Sequence, residues 1–138
     1  MACDVRIAAE HVQIGSFELR RGMHPADGGI VRLVNACGVG IAMEMELTGE
    51  PISAQRALQV NMVNQVVPAE ELYPAVEAFV AKILRNPRRG VESAKQTILE
   101  VVGRPLDDQL RLECLIGYSV MDDPEINERR ERFLVQGD

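Results

Sequence analysis

The hydrophobic pattern changes character at Pro68. Before it, apolar residues come in short alternating runs broken by glycine; after it, they recur at helical spacing almost to the end. Leu72, Val76, Phe79, Val80, Ile83 and Leu84 stand at i, i+4, i+7, i+8, i+11 and i+12, the stripe of one amphipathic helix. Pro74 fits its first turn, where a missing N–H costs nothing, and Asn86-Pro87 ends it. Further helices are predicted over about Val91–Val102, with Val91, Ala94, Ile98 and Val101 inward, over Leu106–Val120, and over Pro124–Leu134. Gly103-Arg104-Pro105 separates the first two of these.

The first 67 residues read differently. Val5 and Ile7 alternate with Asp4 and Arg6, predicting a strand over Cys3–Ala9, and Val12–Leu19 alternates again around Gly15. Residues 20–29 hold three glycines, a proline and an Asp-Gly pair, which makes them a loop with special backbone angles. Helical character resumes at Ile30, with Ile30, Leu33 and Val34 on one face, and Gly38 closes it. Ile41, Met43, Met45 and Leu47 follow, with Gly49 as a helix stop. Ser53 suits the N-cap of a short helix through Leu58, and Val60–Val67 reads as a strand. No repeat or linker divides the two zones, so an α/β fold with a helical C-terminal region is expected within the span of an ordinary domain.

Composition removes several functions. The net charge is −6, the 15 basic residues are 13 Arg and 2 Lys, and aromatic residues make up 4%, which disfavours nucleic acid as a partner. No apolar stretch approaches the roughly 18 residues a membrane span needs. Asp4 and Arg6 interrupt any signal-peptide core, and the three cysteines (Cys3, Cys37, Cys114) lack metal-ligand spacing. A cytoplasmic protein with free thiols and no bound metal is expected.

Acid–base chemistry at neutral pH needs a carboxylate or imidazole in a setting that tunes it. Glu18 is the strongest candidate, between Phe17 and Leu19 at a strand end and just ahead of the glycine-rich loop; a solvated strand-edge side chain is the alternative. His24 lies in that loop beside Pro25, either facing a ligand or simply exposed, and His11 is too far in sequence to share a metal with it. Gly28-Gly29 before a helix lets backbone N–H groups approach an anion or carbonyl oxygen, or forms a plain tight turn. Met43 and Met45 near Glu44 and Glu46 fit either a soft-metal site or core packing. Arg88-Arg89 fits a phosphate contact or a solvated helix start, and no cysteine has a histidine nearby to activate it.

Taken in order, these segments resemble one family. Cys3–Ala9 is similar to the strand after the oxyanion-hole helix of the crotonase (enoyl-CoA hydratase/isomerase) superfamily. Ile14-Gly15-Ser16-Phe17-Glu18 resembles its Phe-Gly-x-Pro-Glu motif, and Gly22–Leu33 its Gly-x-x-Pro-Gly-x-Gly-Gly-Thr-x-Arg-Leu. Ala42–Ala54 is similar to Ala-x-Glu-x-x-Leu-Thr-Gly-x-x-Ile-x-Ala, and Ala57–Pro68 continues into the Val-Val-Pro stretch. The resemblance implies the C-terminal part of a (ββα) spiral core at 1–67 and a helical trimerisation-type region at 68–138. It implies an acyl-CoA thioester as substrate, with CoA part of the substrate and no cofactor. Glu18 is then the general acid/base, exchanging a proton at the carbon beside the thioester carbonyl. Phe17, Met23, Pro25, Gly28 and Gly29 are then substrate-binding positions.

The departures are specific. Phe17 stands where the family has Pro, Ala26 where it has Gly, and Ile30 where it has Thr; Asn127–Asp138 only loosely resembles the family terminus. The family's oxyanion hole uses two backbone N–H donors, one in an Ala-rich loop and one at a Gly-rich helix start that also bears the first catalytic glutamate. Neither segment occurs in these 138 residues. The expectation is therefore a chain that is inactive alone and that forms a homo-oligomer, a trimer or hexamer, or joins a partner bearing the N-terminal half. Two other readings stay open: a non-catalytic assembly module, and another crotonase reaction such as thioester hydrolysis or decarboxylation.

Overall fold

Two parallel three-residue strands, β1 (Ile7–Ala9) and β4 (Gln65–Val67), pair in the register Ile7↔Gln65, Ala8↔Val66 and Ala9↔Val67. Side chains extend the ladder: Arg6 N–H donates to Asn64 Oδ1 at 2.9 Å, and Asn64 N–H donates to the Arg6 carbonyl at 2.7 Å. A second, antiparallel pair joins β2 (Gln13–Ile14) to β3 (Ile52–Ser53). This computed structural model describes residues 1–136. The last two residues of the Asn127–Asp138 stretch lie outside the described residues. The chain divides into two compact units, Met1–Ala78 and the residues from Phe79 onward.

In the first unit, α1 (Gly29–Cys37) and α2 (Val39–Thr48) meet at Gly38, whose φ of 83° turns the chain without a linker. Gly49 ends α2 as expected, in the left-handed region with its N–H donating to the Met45 carbonyl. The following helix, α3 (Ala54–Gln59), is capped by Ser53, whose hydroxyl accepts from Arg56 N–H at 3.2 Å. Ala54 and Ala57 are fully buried, so α3 packs closely against its neighbours through its two smallest residues. They join Ala8, Leu33, Met45, Ile52, Met62 and Val63 in one apolar cluster.

Three expected strands are shorter than their alternation suggests. Cys3–Arg6 stays outside β1, with the Arg6 guanidinium donating to the Cys3 carbonyl at 2.7 Å and to the Met62 carbonyl. In Val12–Leu19 only Gln13–Ile14 is strand, because Glu18 begins a 3-10 turn over Leu19–Arg21. The Glu18 carbonyl accepts from Arg21 N–H at 3.0 Å and from Met23 N–H at 2.9 Å, and Gly22 leaves the turn at φ 72°. In Val60–Val67 the first residues form a turn through Asn61, at φ 61°, which drives Met62 and Val63 into the core. Met62 N–H then donates to the Ala57 carbonyl at 2.8 Å, a bond that a strand would have given to the ladder.

The remaining helices fall close to their expected places: α4 (Leu72–Leu84), α5 (Arg88–Val101), α6 (Leu106–Tyr118) and α7 (Pro124–Gln136). In the second unit α5 packs on α6. The expected inward stripe of α5 is only half right. Val91 and Val101 are half-buried, whereas Ala94 is exposed and Ile98 is 63% exposed. Ser93 and Thr97 take half-buried positions instead. Their hydroxyls donate back to the Gly90 and Ser93 carbonyls at 3.0 and 2.9 Å, so neither carries an unmet polar group inward. Arg88 pairs with Glu92 at 2.7 Å on the solvent face, as at a solvated helix start. Among the described residues no helix is long and apolar enough to cross a membrane.

Candidate active site

Glu18 sits where β2 gives way to the 3-10 turn, with helical backbone angles (φ −62°, ψ −45°) rather than at a strand end. Its half-buried side chain lines a cleft of about 190 Å³ with Ser16, Pro25, Asp27, Gly29, Leu33, Met45 and Glu46 among the walls. A neighbouring cavity of about 260 Å³ is almost wholly apolar, walled by Leu19, His24, Ile30, Val34, Val39, Ala42, Met43 and Leu47. Pro25 and Glu46 belong to both walls, so a charged cleft and an apolar cavity share a boundary.

The Ser16 hydroxyl lies 2.8 Å from Glu18 Oε2 and 3.0 Å from Glu46 Oε2. Donation from Ser16, assisted by Glu18's own backbone N–H, holds the Glu18 carboxyl below the usual carboxylate range, against the opposing pull of desolvation and of Asp27. Glu18 is therefore a carboxylate at neutral pH, a form that takes a proton before it gives one. Elsewhere, burial pushes the Cys37 thiol up, and Arg6 offsets part of this. Cys3, Cys37 and Cys114 are all free.

Of the other positions singled out in the sequence, Pro25 and Gly29 join Glu18 at the cleft. Gly29 N–H is already engaged, donating to Asp27 Oδ1 at 3.1 Å. Gly28, at φ 85°, adopts a backbone conformation that a side chain would strain, and a Cβ there would meet the Arg32 guanidinium. Phe17 and Met23 stand outside the walls of both cavities. The Phe17 ring lies over Gly15, where a Cβ would come within 2.7 Å of it, and Met23 is 52% exposed. Met43 is exposed while Met45 is buried, so the two sulfurs face opposite sides of α2. Among the described residues no group of three or more His, Cys, Asp or Glu is placed to hold a metal ion.

Sequence reasoning did not single out Ser16 or the cleft role of Glu46. Glu46 carried a readable signal: it follows Ala42 and Met45 at i+4 and i+1, and so lies on the face of α2 that the core covers.

Comparison with known proteins places this geometry in context. The sequence profile described as Enoyl-CoA hydratase/isomerase matches residues 1–138. A crotonyl-CoA hydratase of Syntrophomonas wolfei is 34% identical over 114 residues, which is 83% of this chain and 44% of that protein. The structure of an enoyl-CoA hydratase from Bacillus anthracis superposes with a TM-score of 0.93 at 34% identity, covering 96% of this chain and 52% of that one. A Thermobifida fusca protein solved in complex with CoA is 32% identical, with a TM-score of 0.80, over 85% of this chain and 46% of its own. The chain thus spans about half the length of the relatives it matches, and its mixed strand–helix core and helical C-terminal region are those of the crotonase fold. A profile match from the first residue to the last, on a fold shared at this level of identity, is sufficient: the chain belongs to the enoyl-CoA hydratase/isomerase family.

Proposed function

We propose that this chain contributes the acid/base half of a site acting on an acyl-CoA thioester, with Glu18 moving a proton at the carbon beside the thioester carbonyl. The observation that carries this reading is the placement of the Glu18 carboxylate in a cleft that shares the Pro25–Glu46 wall with an apolar cavity. A thioester with its α-carbon near Glu18 has an apolar space at hand for its acyl chain. The carboxylate takes the α-proton, forming an O–H bond as the C–H electrons pass into the enolate; in the reverse direction it returns the proton to that carbon. CoA bound in the Thermobifida fusca relative supports the substrate class. The enolate oxygen requires preorganised donors, a contribution of several kcal/mol in acyl chemistry. Gly29 N–H, engaged by Asp27, is not free to provide one.

The 138-residue polypeptide by itself is therefore expected to hydrate crotonyl-CoA at no more than the background rate. The same chain fused behind the N-terminal half of the Syntrophomonas wolfei relative is expected to turn over. Loss of the enoyl absorbance measures both; normal turnover by the 138-residue chain would refute the division of labour.

The helical region supports a second element of the proposal, self-association. Leu99 on α5 and Leu106 and Leu115 on α6 are 63%, 66% and 69% exposed, apolar side chains available for a second copy to cover. Analytical ultracentrifugation is expected to show a trimer or hexamer. A well-folded monomer at micromolar concentration would contradict it.

A further inference from the structure

Helices α1 and α2 run out and back. From Gly29, in the wall of the Glu18 cleft, α1 leads away to Cys37; the chain turns at Gly38, and α2 returns to Thr48. The two helices pack on each other, and the cavity of about 260 Å³ lies along both. Its walls follow the same course. Ile30 and Glu46 stand at the cleft end, Val34 and Ala42 midway, and Val39 beside the Gly38 turn. The cavity is therefore a channel that starts at the cleft and leads away from Glu18. Apart from Glu46 and His24, its walls among the described residues are apolar.

We propose that this channel takes the acyl chain as an uncharged hydrocarbon of about eight to ten carbons, and that Ala42 sets the length it accepts. The proposal rests on the acyl-thioester reading above and names the substrate class within it. Two measures agree on the length. A cavity of about 150 Å³ holds a benzene ring, so a space of 260 Å³ takes about ten carbons. The stretch of α2 from Val39 to Glu46 is about 10 Å long at about 1.5 Å per residue. An extended chain advances about 1.2 Å per bond, so about eight bonds cover that distance. A four-carbon acyl group with its α-carbon at Glu18 would enter only the near end. Val39, Met43 and Leu47 repeat at i, i+4 and i+8 along the rim and are 60%, 55% and 71% exposed. A longer chain lying against them takes that apolar surface out of water. Ala42, 4% exposed, is the smallest wall residue and stands midway, so a larger side chain there occupies the path.

The test titrates the 138-residue chain with straight-chain primary alcohols of four to twelve carbons, which need neither CoA nor proton transfer by Glu18. Methyl NMR resonances of Ile30, Val34 and Val39 report binding. Each added methylene is expected to tighten binding about fourfold until the series levels off at about eight to ten carbons. Ala42→Leu fills part of the channel and is expected to move that break down by about three carbons. Val39→Phe, at the exposed far end, is expected to move it the same way, and it decides the matter if Ala42→Leu does not fold. Levelling at four carbons, tightening that continues to twelve, binding at no length, or a break that neither variant moves would each overturn the proposal. Turnover supplies the second arm, in the chain completed by the N-terminal half of the Syntrophomonas wolfei relative. There Ala42→Leu is expected to lower the ratio of kcat/KM for 2-octenoyl-CoA over crotonyl-CoA by about tenfold or more. An unchanged ratio would overturn the channel as the acyl site. Failure of the acid/base reading looks different: Glu18→Gln would turn over both substrates as the wild type does, with the alcohol break still in place.

Discussion

Glu18→Gln is expected to lower kcat by about 10²–10⁴-fold in a chain completed by a relative's N-terminal half, with KM nearly unchanged. Gln has the volume of Glu, and its amide oxygen still accepts from the Ser16 hydroxyl, so the cleft should keep its shape. What disappears is the group that exchanges a proton with substrate. The readout is kcat against KM for crotonyl-CoA, together with solvent deuterium entering the α-carbon. A loss confined to KM would show that Glu18 only binds. The pH dependence carries its own sign. Since the folded-state Glu18 carboxyl lies below its ordinary value, the base limb of kcat/KM should fall away on the acid side of the usual carboxylate range, and the variant should lack that limb. The same depression stabilises the fold at pH values above the unfolded-state pKa. That part is lost as pH falls through the folded-state value, and Glu18→Gln removes it.

The second large effect is on stability. Met62→Ala is expected to cost about 2–5 kcal/mol, against a total of about 5–15 for an ordinary domain. Met62 is 2% exposed, and its cluster includes Ala8, Ala54 and Ala57. Alanines have no rotamer with which to swing into a hole, so the cavity should stay open and the cost should sit in the upper part of that range. The urea midpoint should drop by on the order of 1–2 M. Met62→Leu, which nearly conserves volume, is expected to cost less than about 1.5 kcal/mol. Equal losses in the two variants would show that the surroundings collapse after all.

What could be read in the sequence follows the range of the interactions involved. The Leu72–Leu84 helix, the Gly49 stop and the Ser53 cap are local, each decided within a few residues, and all three stand where expected, although Val76, Val80, Ile83 and Leu84 of the helix's apolar stripe are exposed. The strands are not local. Three residues at Ile7–Ala9 are a strand only because Gln65–Val67 lies beside them, and the paired register does not run back to Cys3. The turn at Asn61 depends on a positive φ in a non-glycine residue, which apolar spacing does not report. Within the site, Glu18 was legible from its motif, but Ser16 and Glu46 meet across 30 positions, and neither segment alone announces the other. The stripe of α5 failed for a further reason. Ser93 and Thr97 satisfy their hydroxyls within the helix, so polarity in the sequence did not mark the exposed face.

The pairing of Arg6 with Asn64 and of β1 with β4 also sets a timetable. The two partners are 58 residues apart, and among the described residues β4 is the strand that pairs with β1. During synthesis, at about 5–20 residues per second, β1 waits roughly 3–12 s before its partner has been made. Through that interval the donors and acceptors on the β4 side of β1 stay open. Closing so long a loop also makes the first unit a slow-forming, non-local element, whereas the helices after Pro68 form from neighbours. Nascent chains cut short before Val67 should therefore be the ones that chaperones hold.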